Sequence, residues 1–196
     1  MKKMNIQTFK EKIMLERKKV VLLFFIFLAL VGGAIGIYIF NLIKKDKAKQ
    51  YEYEAYRNYY KQDFKRAAEL FLRAYDNEKN IVYLLNAGYA FSFAGEDKKA
   101  IEVLEKVENS DDEVFSNLAK FKLAMILKKT NKEEAANKLK QIVNGKRDFI
   151  KDAALYELAK IYEESNREQA KIYHEEIIKR FPSSPFAEIV KDKIKQ

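Results

Sequence analysis

The sequence contains no cysteine, one histidine, two prolines and six glycines among 196 residues. The absence of cysteine excludes disulfides, thiolate metal sites and a lipidated cysteine anchor. One histidine leaves only carboxylates as further metal ligands, and no glycine-rich phosphate loop occurs. That histidine, His174, lies within a predicted helix, and we interpret it as an ordinary surface or half-buried residue. We therefore expect no enzyme activity, no metal and no cofactor.

The scarcity of glycine and proline has a structural consequence. Only three glycines and two prolines follow residue 43, where Lys, Glu, Ala and Leu are abundant. Such a composition predicts an all-α fold.

One uncharged run dominates the N-terminal part of the chain. Residues 20–43 contain no charged side chain. At a rise of about 1.5 Å per residue this run spans roughly 36 Å, more than a hydrocarbon core of about 30 Å. A cleaved signal peptide has an apolar region of only about 7–15 residues followed by a cleavage site of small residues. The run therefore favours an uncleaved signal anchor, a single transmembrane helix, over a cleaved signal.

Basic residues flank this run on both sides, and the net charge is +9. The positive-inside rule counts short flanks and lets large domains translocate. We therefore expect a single-pass protein of the inner (plasma) membrane, with a cytoplasmic N-terminus and the C-terminal body on the outer, periplasmic face. The body has no basic run free of carboxylates, so we expect anionic lipid headgroups rather than nucleic acid to meet the basic clusters. The N-terminal basic residues are Lys2, Lys3, Lys10, Lys12, Arg17, Lys18 and Lys19.

A local pattern recurs four times in the body. Each copy has a polar turn, then an alanine, then the apolar face of a helix, and the alanines are Ala67, Ala100, Ala135 and Ala170. Amphipathic helices are predicted before the turns, at 51–61, 81–94, 114–129 and 153–164.

Small residues oppose these alanines. Ala55 and Gly88 precede the first two alanines by twelve positions, and we expect them to let the two helices of each hairpin approach closely. In the third and fourth copies the corresponding residues, Ala124 and Ala159, come one position late, eleven rather than twelve positions before the alanine.

This pattern resembles the tetratricopeptide repeat, a helix-turn-helix unit of about 34 residues, over residues 48–182. The resemblance implies a right-handed α-solenoid of about four hairpins, whose first helices line a groove that binds proteins or peptides. A C-terminal capping helix is expected from Ser184-Pro185, with an apolar face at Phe186, Ile189, Val190 and Ile194.

The predicted organisation has four parts: a basic cytoplasmic segment at 1–19, a transmembrane helix at 20–43, a repeat domain at 44–182 and the capping helix at 183–196. We expect the transmembrane helix to continue without a break into the first repeat helix. No glycine or proline lies between Gly36 and Gly88 to interrupt it.

Two candidate contact surfaces follow. Aromatic residues are dense on the first two repeat helices, and we predict a peptide groove in which Asn86 hydrogen-bonds the bound backbone. The alternative is that the rings pack between hairpins, and we expect at least two of the five rings to be exposed. The predicted groove residues are Tyr56, Tyr59, Tyr60, Asn86, Tyr89 and Phe93.

Small residues four apart form a strip for another membrane helix, such as one of a translocon, at Ala29, Gly32, Gly33 and Gly36.

The chain has a membrane anchor, then a lysine-rich segment at 44–49, then a short repeat body. This order resembles the bacterial YfgM-like family, ancillary subunits of the SecYEG translocon. The resemblance implies an envelope interaction module that binds translocon components, chaperones or emerging polypeptides. Two alternatives stay open. One is a scaffold that tethers an envelope complex without a peptide client, and the other is a non-catalytic accessory subunit of a membrane enzyme.

Overall fold

The computed structural model describes the backbone of residues 6–194 and the side chains of residues 14–193. Of the basic N-terminal segment, Lys2 and Lys3 lie outside this part, as do the side chains of Lys10 and Lys12. The described chain forms nine α-helices and no strand, which confirms the all-α prediction. The helices are α1 Ile6–Tyr60, α2 Phe64–Asn77, α3 Ile81–Phe93, α4 Asp97–Glu108, α5 Glu113–Leu127, α6 Lys132–Asn144, α7 Lys151–Tyr162, α8 Arg167–Arg180 and α9 Pro185–Ile194.

Helix α1 carries the apolar run. Among the described residues it is the one helix long and apolar enough to cross a membrane, and none of its apolar window is buried within the chain. That exposure distinguishes it from the core helix of a soluble protein. Its length, composition and position are typical of a membrane anchor or a signal sequence, so α1 is the candidate anchor.

The secondary structure of α1 is continuous. It extends for 55 residues, without interruption between Ile43 and Tyr53, as predicted from good helix formers in this stretch. The described residues form two compact units that divide between Asp46 and Lys47. The second unit contains the end of α1 and the eight shorter helices.

Polar residues determine where many of these helices begin. The side-chain oxygen of each capping residue accepts a hydrogen bond from a backbone N–H two or three positions later, which satisfies a donor that the first helical turn leaves free. The capping residues of α2, α3, α5, α6 and α8 are Asp63, Asn80, Asp112, Asn131 and Asn166.

The small residues of the repeat lie at the contacts between paired helices. All four repeat alanines are buried, and Ala100 is fully buried as predicted. Ala55 and Gly88 are buried too, and so are the late counterparts Ala124 and Ala159. The periodic alanines and their small partners therefore mark four TPR-like hairpins: the end of α1 with α2, α3 with α4, α5 with α6, and α7 with α8.

The small residues of the last two hairpins come one position late because they lie nearer to the ends of their helices. Ala124 and Ala159 lie three residues before the last residue of α5 and α7, whereas Ala55 and Gly88 lie five before the last residue of α1 and α3. A longer turn recovers one of these two positions. Three residues join α1 to α2 and α3 to α4, whereas four join α5 to α6 and α7 to α8.

The short turns each use a left-handed backbone conformation five positions before the alanine, at Gln62 (φ 64°) and Gly95 (φ 74°). Glycine adopts this conformation without steric cost. The corresponding Thr130 and Ser165 do not need it, since the extra residue lengthens the turn.

Neighbouring hairpins are joined by side-chain bonds between residues about thirty apart in sequence. Lys138 pairs with Glu108 at 2.7 Å, and Lys128 pairs with Glu157 at 2.6 Å. The Ser184 hydroxyl donates to Asp152 at 2.6 Å. Contacts at this separation are those expected when each repeat packs against the next one.

The last helix covers the end of the stack. Ser184 Oγ accepts a hydrogen bond from the N–H of Phe186 at 3.2 Å, so α9 begins where it was predicted. Ala187 and Val190 pack with Leu155 and Ile177 in one cluster. The prediction that Ile189 shares this buried face was wrong, since Ile189 is 47 % exposed. At 100° per residue, Ala187 and Val190 define the centre of the buried face, and Ile189 lies to one side. The side chain of Ile194 lies outside the described residues.

Candidate functional site

A pocket of about 210 Å³ lies in the first two hairpins. Four of its five lining residues belong to the predicted groove, and Phe71 of α2 is the fifth. Phe71 is buried, and the ring of Tyr56 packs edge-on against it at 5.1 Å between centroids. We call this site the aromatic pocket, and its lining residues are Tyr56, Tyr59, Phe71, Asn86 and Tyr89.

Helical spacing explains how the first helices supply this lining. Tyr56 and Tyr59 are three residues apart on α1, and Asn86 and Tyr89 are three apart on α3, so each pair shares one helix face. The Asn86 side-chain N–H donates to the Tyr56 hydroxyl at 3.0 Å, which joins the two faces. One of the two amide N–H donors of Asn86 is engaged there, so the second N–H and the amide oxygen are the groups that a bound backbone would meet. Binding by Asn86 stays a prediction.

The other two predicted rings lie beside the pocket. Phe93 packs against Tyr59 at 6.0 Å and against Phe64 at 5.4 Å between centroids. Tyr60 meets Tyr59 edge-on at 6.3 Å. Tyr60 is 82 %, Phe93 51 % and Tyr56 39 % exposed, which confirms that at least two of the five rings are exposed. Tyr59 and Tyr89 are half-buried, so these two also pack between hairpins, as the alternative interpretation held.

A lysine of the third hairpin completes this surface. The Lys122 ammonium, on α5, lies 4.5 Å from the centroid of the Phe93 ring and 5.2 Å from that of Tyr89. Burial lowers the pKa of Lys122, and Lys129 lowers it further while Asp97 acts in the opposite direction. Tyr89 donates its hydroxyl to the Leu118 carbonyl at 3.4 Å, and burial raises its pKa. The site therefore combines apolar ring surface with phenol hydroxyls and the Lys122 amino group.

The sequence interpretation missed Phe71, Phe64 and Lys122. Phe64 and Phe71 are seven residues apart on α2, and that apolar spacing was available as a signal. Lys122 follows Leu118 by one helical turn, but nothing local in the sequence pairs it with rings about thirty residues earlier. The repeat period is the signal that would have related these positions.

The small residues of α1 form an open strip. Ala29, Gly32, Gly33 and Gly36 are exposed, and a Cβ atom added at any of the glycines would meet no atom within 4 Å. The strip is therefore not covered by the described residues of this chain and is accessible to a further helix. A contact with a membrane-helix partner stays a prediction.

His174 differs from its sequence interpretation. It is 6 % exposed rather than at the surface or half-buried, because α8 packs against α7 and α9 around it. Its Nε2 lies 3.8 Å from Glu163 Oε1 and has no hydrogen-bond partner among the described residues. Burial lowers the pKa of His174, Lys193 lowers it further, and Glu163 raises it. Within the described chain, no group of three or more His, Cys, Asp or Glu residues is arranged to hold a metal ion.

The fourth hairpin is the part of the chain that matches a known protein family. Residues 153–184 match the tetratricopeptide repeat. The matched segment covers most of α7, all of α8 and the turn that leads to α9. No curated protein matches the chain. This repeat is a non-catalytic interaction fold that generally binds proteins or peptides, so the match indicates a protein–protein interaction module.

Proposed function

We propose that the chain is a membrane-anchored interaction module of the bacterial cell envelope that binds extended apolar polypeptide segments. The observation that carries this proposal is the aromatic pocket, with Tyr60 and Phe93 exposed beside it. Rigid aromatic rings offer a large apolar surface and lose little conformational entropy when a ligand binds.

The size and chemistry of the pocket define the expected binding. A volume of about 210 Å³ suits one large apolar side chain at a time. A surface of this modest extent gives weak affinity, on the order of micromolar. Since burial of apolar area drives the contact with a neutral ligand, salt has little effect on it.

The proposal also assigns the binding activity to one side of the membrane. In the proposal, α1 holds the repeat domain at residues 44–182 and the capping helix at 183–196 on the outer face of the plasma membrane, with the segment at 1–19 in the cytoplasm. The chain would act as YfgM-like ancillary translocon subunits are expected to act. Translocon components, chaperones or emerging polypeptides would occupy the pocket, and the strip from Ala29 to Gly36 would contact a membrane helix of the translocon.

Titration of the full chain in detergent with an unfolded model polypeptide tests this proposal. The parent is compared with a Tyr59→Ala, Tyr89→Ala double variant, whose folding is first verified by circular dichroism. A Tyr156→Ala, Tyr162→Ala variant is the matched control, because it removes two half-buried rings of the fourth hairpin. We expect the pocket variant to bind at least about tenfold more weakly and the control to bind like the parent.

Two results would contradict the proposal. Equal affinity of the folded pocket variant and the parent would exclude this pocket as the binding site. No binding by the parent would favour a scaffold that tethers an envelope complex without a peptide client, or an accessory subunit of a membrane enzyme.

A further inference from the structure

We propose that the loop between α6 and α7, residues 145–150, contacts the surface of an anionic membrane through Lys146, Arg147 and Phe149. The inference rests on the proposed function, because it takes α1 as the membrane anchor. It adds a second membrane contact, which the repeat domain makes between its third and fourth hairpins and not at the aromatic pocket.

Two charged side chains fix the backbone of this loop. Glu113 Oε1, at the start of α5, accepts hydrogen bonds from the N–H groups of Lys146 at 2.8 Å and Arg147 at 3.1 Å. The buried ammonium of Lys151 donates to the Gly145 carbonyl at 2.6 Å. A Cβ atom at residue 145 would lie 2.8 Å from the same Glu113 oxygen, so glycine is the residue that fits there. These contacts hold the loop in one conformation.

This conformation leaves one apolar ring and two cations exposed. Phe149 is 47 % exposed, and Lys146 and Arg147 are exposed as well. Among the described side chains, neither cation has a carboxylate within 4 Å. Asp148, the loop's own carboxylate, pairs instead with the buried Lys151 at 3.3 Å. The exposed surface of the loop thus combines an apolar ring with unpaired positive charge.

This combination matches the interface of a lipid bilayer. Lysine and arginine beside a bilayer attract anionic headgroups, and an aromatic ring gains by entering the boundary between headgroups and acyl chains. A soluble anion would pair with the two cations but leave the ring in water. The joint exposure of Phe149 with Lys146 and Arg147 therefore favours a membrane surface as the partner.

The first helices of the hairpins all begin at one end of the stack, and the loop belongs to that end. The Tyr83 hydroxyl, near the start of α3, donates at 3.2 Å to Glu52, on the part of α1 that follows Lys47. Each hairpin runs out along its first helix and back along its second, so α5 and α7 begin at this end too. The loop precedes α7 and is held by Glu113, the first residue of α5. Lys47 and the loop therefore share one end of the second unit.

The covalent chain keeps this end near the bilayer. Lys47 follows Ile43, the last residue of the uncharged run, by four positions, and four residues span at most about 14 Å. The far end of the hairpins lies about 20 Å away, since α3 rises about 1.5 Å for each of its 13 residues. A membrane that holds α1 is therefore closest to the end that carries the loop.

Tryptophan fluorescence tests this contact, because the chain contains no tryptophan. The full chain is reconstituted into vesicles of phosphatidylcholine and phosphatidylglycerol, with or without bromine on the acyl chains as a contact quencher. Phe149→Trp reports on the loop. Phe93→Trp is the matched control, because Phe93 is 51 % exposed and ends α3 at the far end of the hairpins. Phe27→Trp, within the uncharged run, reports on the anchor.

We expect the three positions to differ in quenching. Brominated lipid should remove most of the Phe27→Trp fluorescence, about half of that of Phe149→Trp and little of that of Phe93→Trp, since an interfacial ring reaches only the headgroup–acyl boundary. Quenching of Phe149→Trp should fall in pure phosphatidylcholine. It should also fall in the mixed vesicles at 1 M salt, where the Debye length is about 3 Å.

Charge variants test the role of the two cations. Adding Lys146→Gln and Arg147→Gln to Phe149→Trp should weaken its quenching. The control pair, Lys61→Gln and Lys98→Gln, removes two exposed lysines from the far end of the hairpins and should leave the quenching unchanged. The lipid and salt series use only Phe149→Trp, so they decide the matter even if a charge variant does not fold.

The outcomes separate this inference from the proposed function. Phe149→Trp fluorescence that brominated lipid leaves unchanged, while Phe27→Trp is quenched, overturns the inference and leaves the anchor intact. Equal quenching of Phe149→Trp and Phe93→Trp, or quenching of Phe149→Trp that does not depend on anionic lipid, also overturns it. If Phe27→Trp is not quenched, the anchor and this inference fail together.

Discussion

A Cβ atom added at Gly88 would lie 2.5 Å from Cγ of Leu104, closer than carbon atoms approach in folded proteins. The two residues belong to α3 and α4, so this contact fixes how closely the second hairpin packs. Leu104 is fully buried and cannot move into solvent.

Gly88→Ala should therefore destabilise the second unit. Alanine gains about 1 kcal/mol over glycine within a helix, but overpacking a tight contact costs about 1–3 kcal/mol. We expect a net loss of roughly 1 kcal/mol in the free energy of unfolding. Urea denaturation followed by tyrosine fluorescence measures it. The loss should shrink in a Leu104→Ala background, and a Gly88→Ala protein as stable as the parent would contradict the close approach.

Ala100 gives a second test of the same hairpin contact. It is fully buried on α4, so Ala100→Leu should overpack the contact and reduce the free energy of unfolding by roughly 1–3 kcal/mol. Lys98→Leu, at an exposed position of the same helix, is the matched control and should change stability little. If Ala100→Leu unfolds at the same urea concentration as the parent, the repeat register is wrong.

His174 should make the stability of the chain depend on pH. Burial lowers the folded-state pKa of His174 below its usual value near 6.5, so the unfolded chain binds the proton more readily. The folded state therefore loses stability as pH falls from about 6.5 toward the lowered pKa, and the effect is absent above this window. Lys193 opposes protonation and Glu163 favours it, but burial has the largest effect.

The measurement is urea denaturation between pH 7.5 and 5 for the parent and His174→Gln. We expect the loss of stability on acidification to be smaller in the variant. Identical pH dependence of the two proteins would mean that His174 is accessible to protons in the folded state.

The architecture could be predicted from the sequence because it depends on local patterns. The uncharged run, the recurrence of Ala67 and its three counterparts, and the Ser184-Pro185 start signal can each be recognised along the sequence without knowing which helices pack together. These features predicted the long α1, the four hairpins and the start of α9. The buried face of the short helix α9 was harder to predict, as Ile189 shows, since one position rotates a side chain by 100°.

The candidate site could be predicted only in part. Tyr56, Tyr59, Asn86 and Tyr89 share faces of the first helices, so the repeat resemblance brought them together correctly. Phe71 comes from a second helix, and Lys122 comes from the next hairpin. Their places depend on packing between repeats, which no pattern within one repeat records. The burial of His174 likewise depends on where α9 packs.

The orientation of the chain can be tested with fusions after Gln196. Basic residues before Val20 and the large body after Ile43 lead us to expect the C-terminus outside the cytoplasm. An alkaline phosphatase fusion should be active in cells, and a green fluorescent protein fusion exported by the same route should be dark. The reverse pair of results would exclude an envelope client-binding role and favour a cytoplasmic membrane-bound scaffold.

The central claim is that the aromatic surface of the first two hairpins contacts extended polypeptide. The most direct measurement places a photocrosslinking benzoylphenylalanine at Tyr60 or at Phe93, both exposed beside the pocket, or at Glu105, exposed on α4, as the control. The full chain is irradiated with an unfolded model polypeptide, and the crosslinked product is quantified. We predict crosslinks from positions 60 and 93 that excess unlabelled polypeptide suppresses, and few from position 105. Equal crosslinking at all three positions, or crosslinking only at 105, would contradict the account.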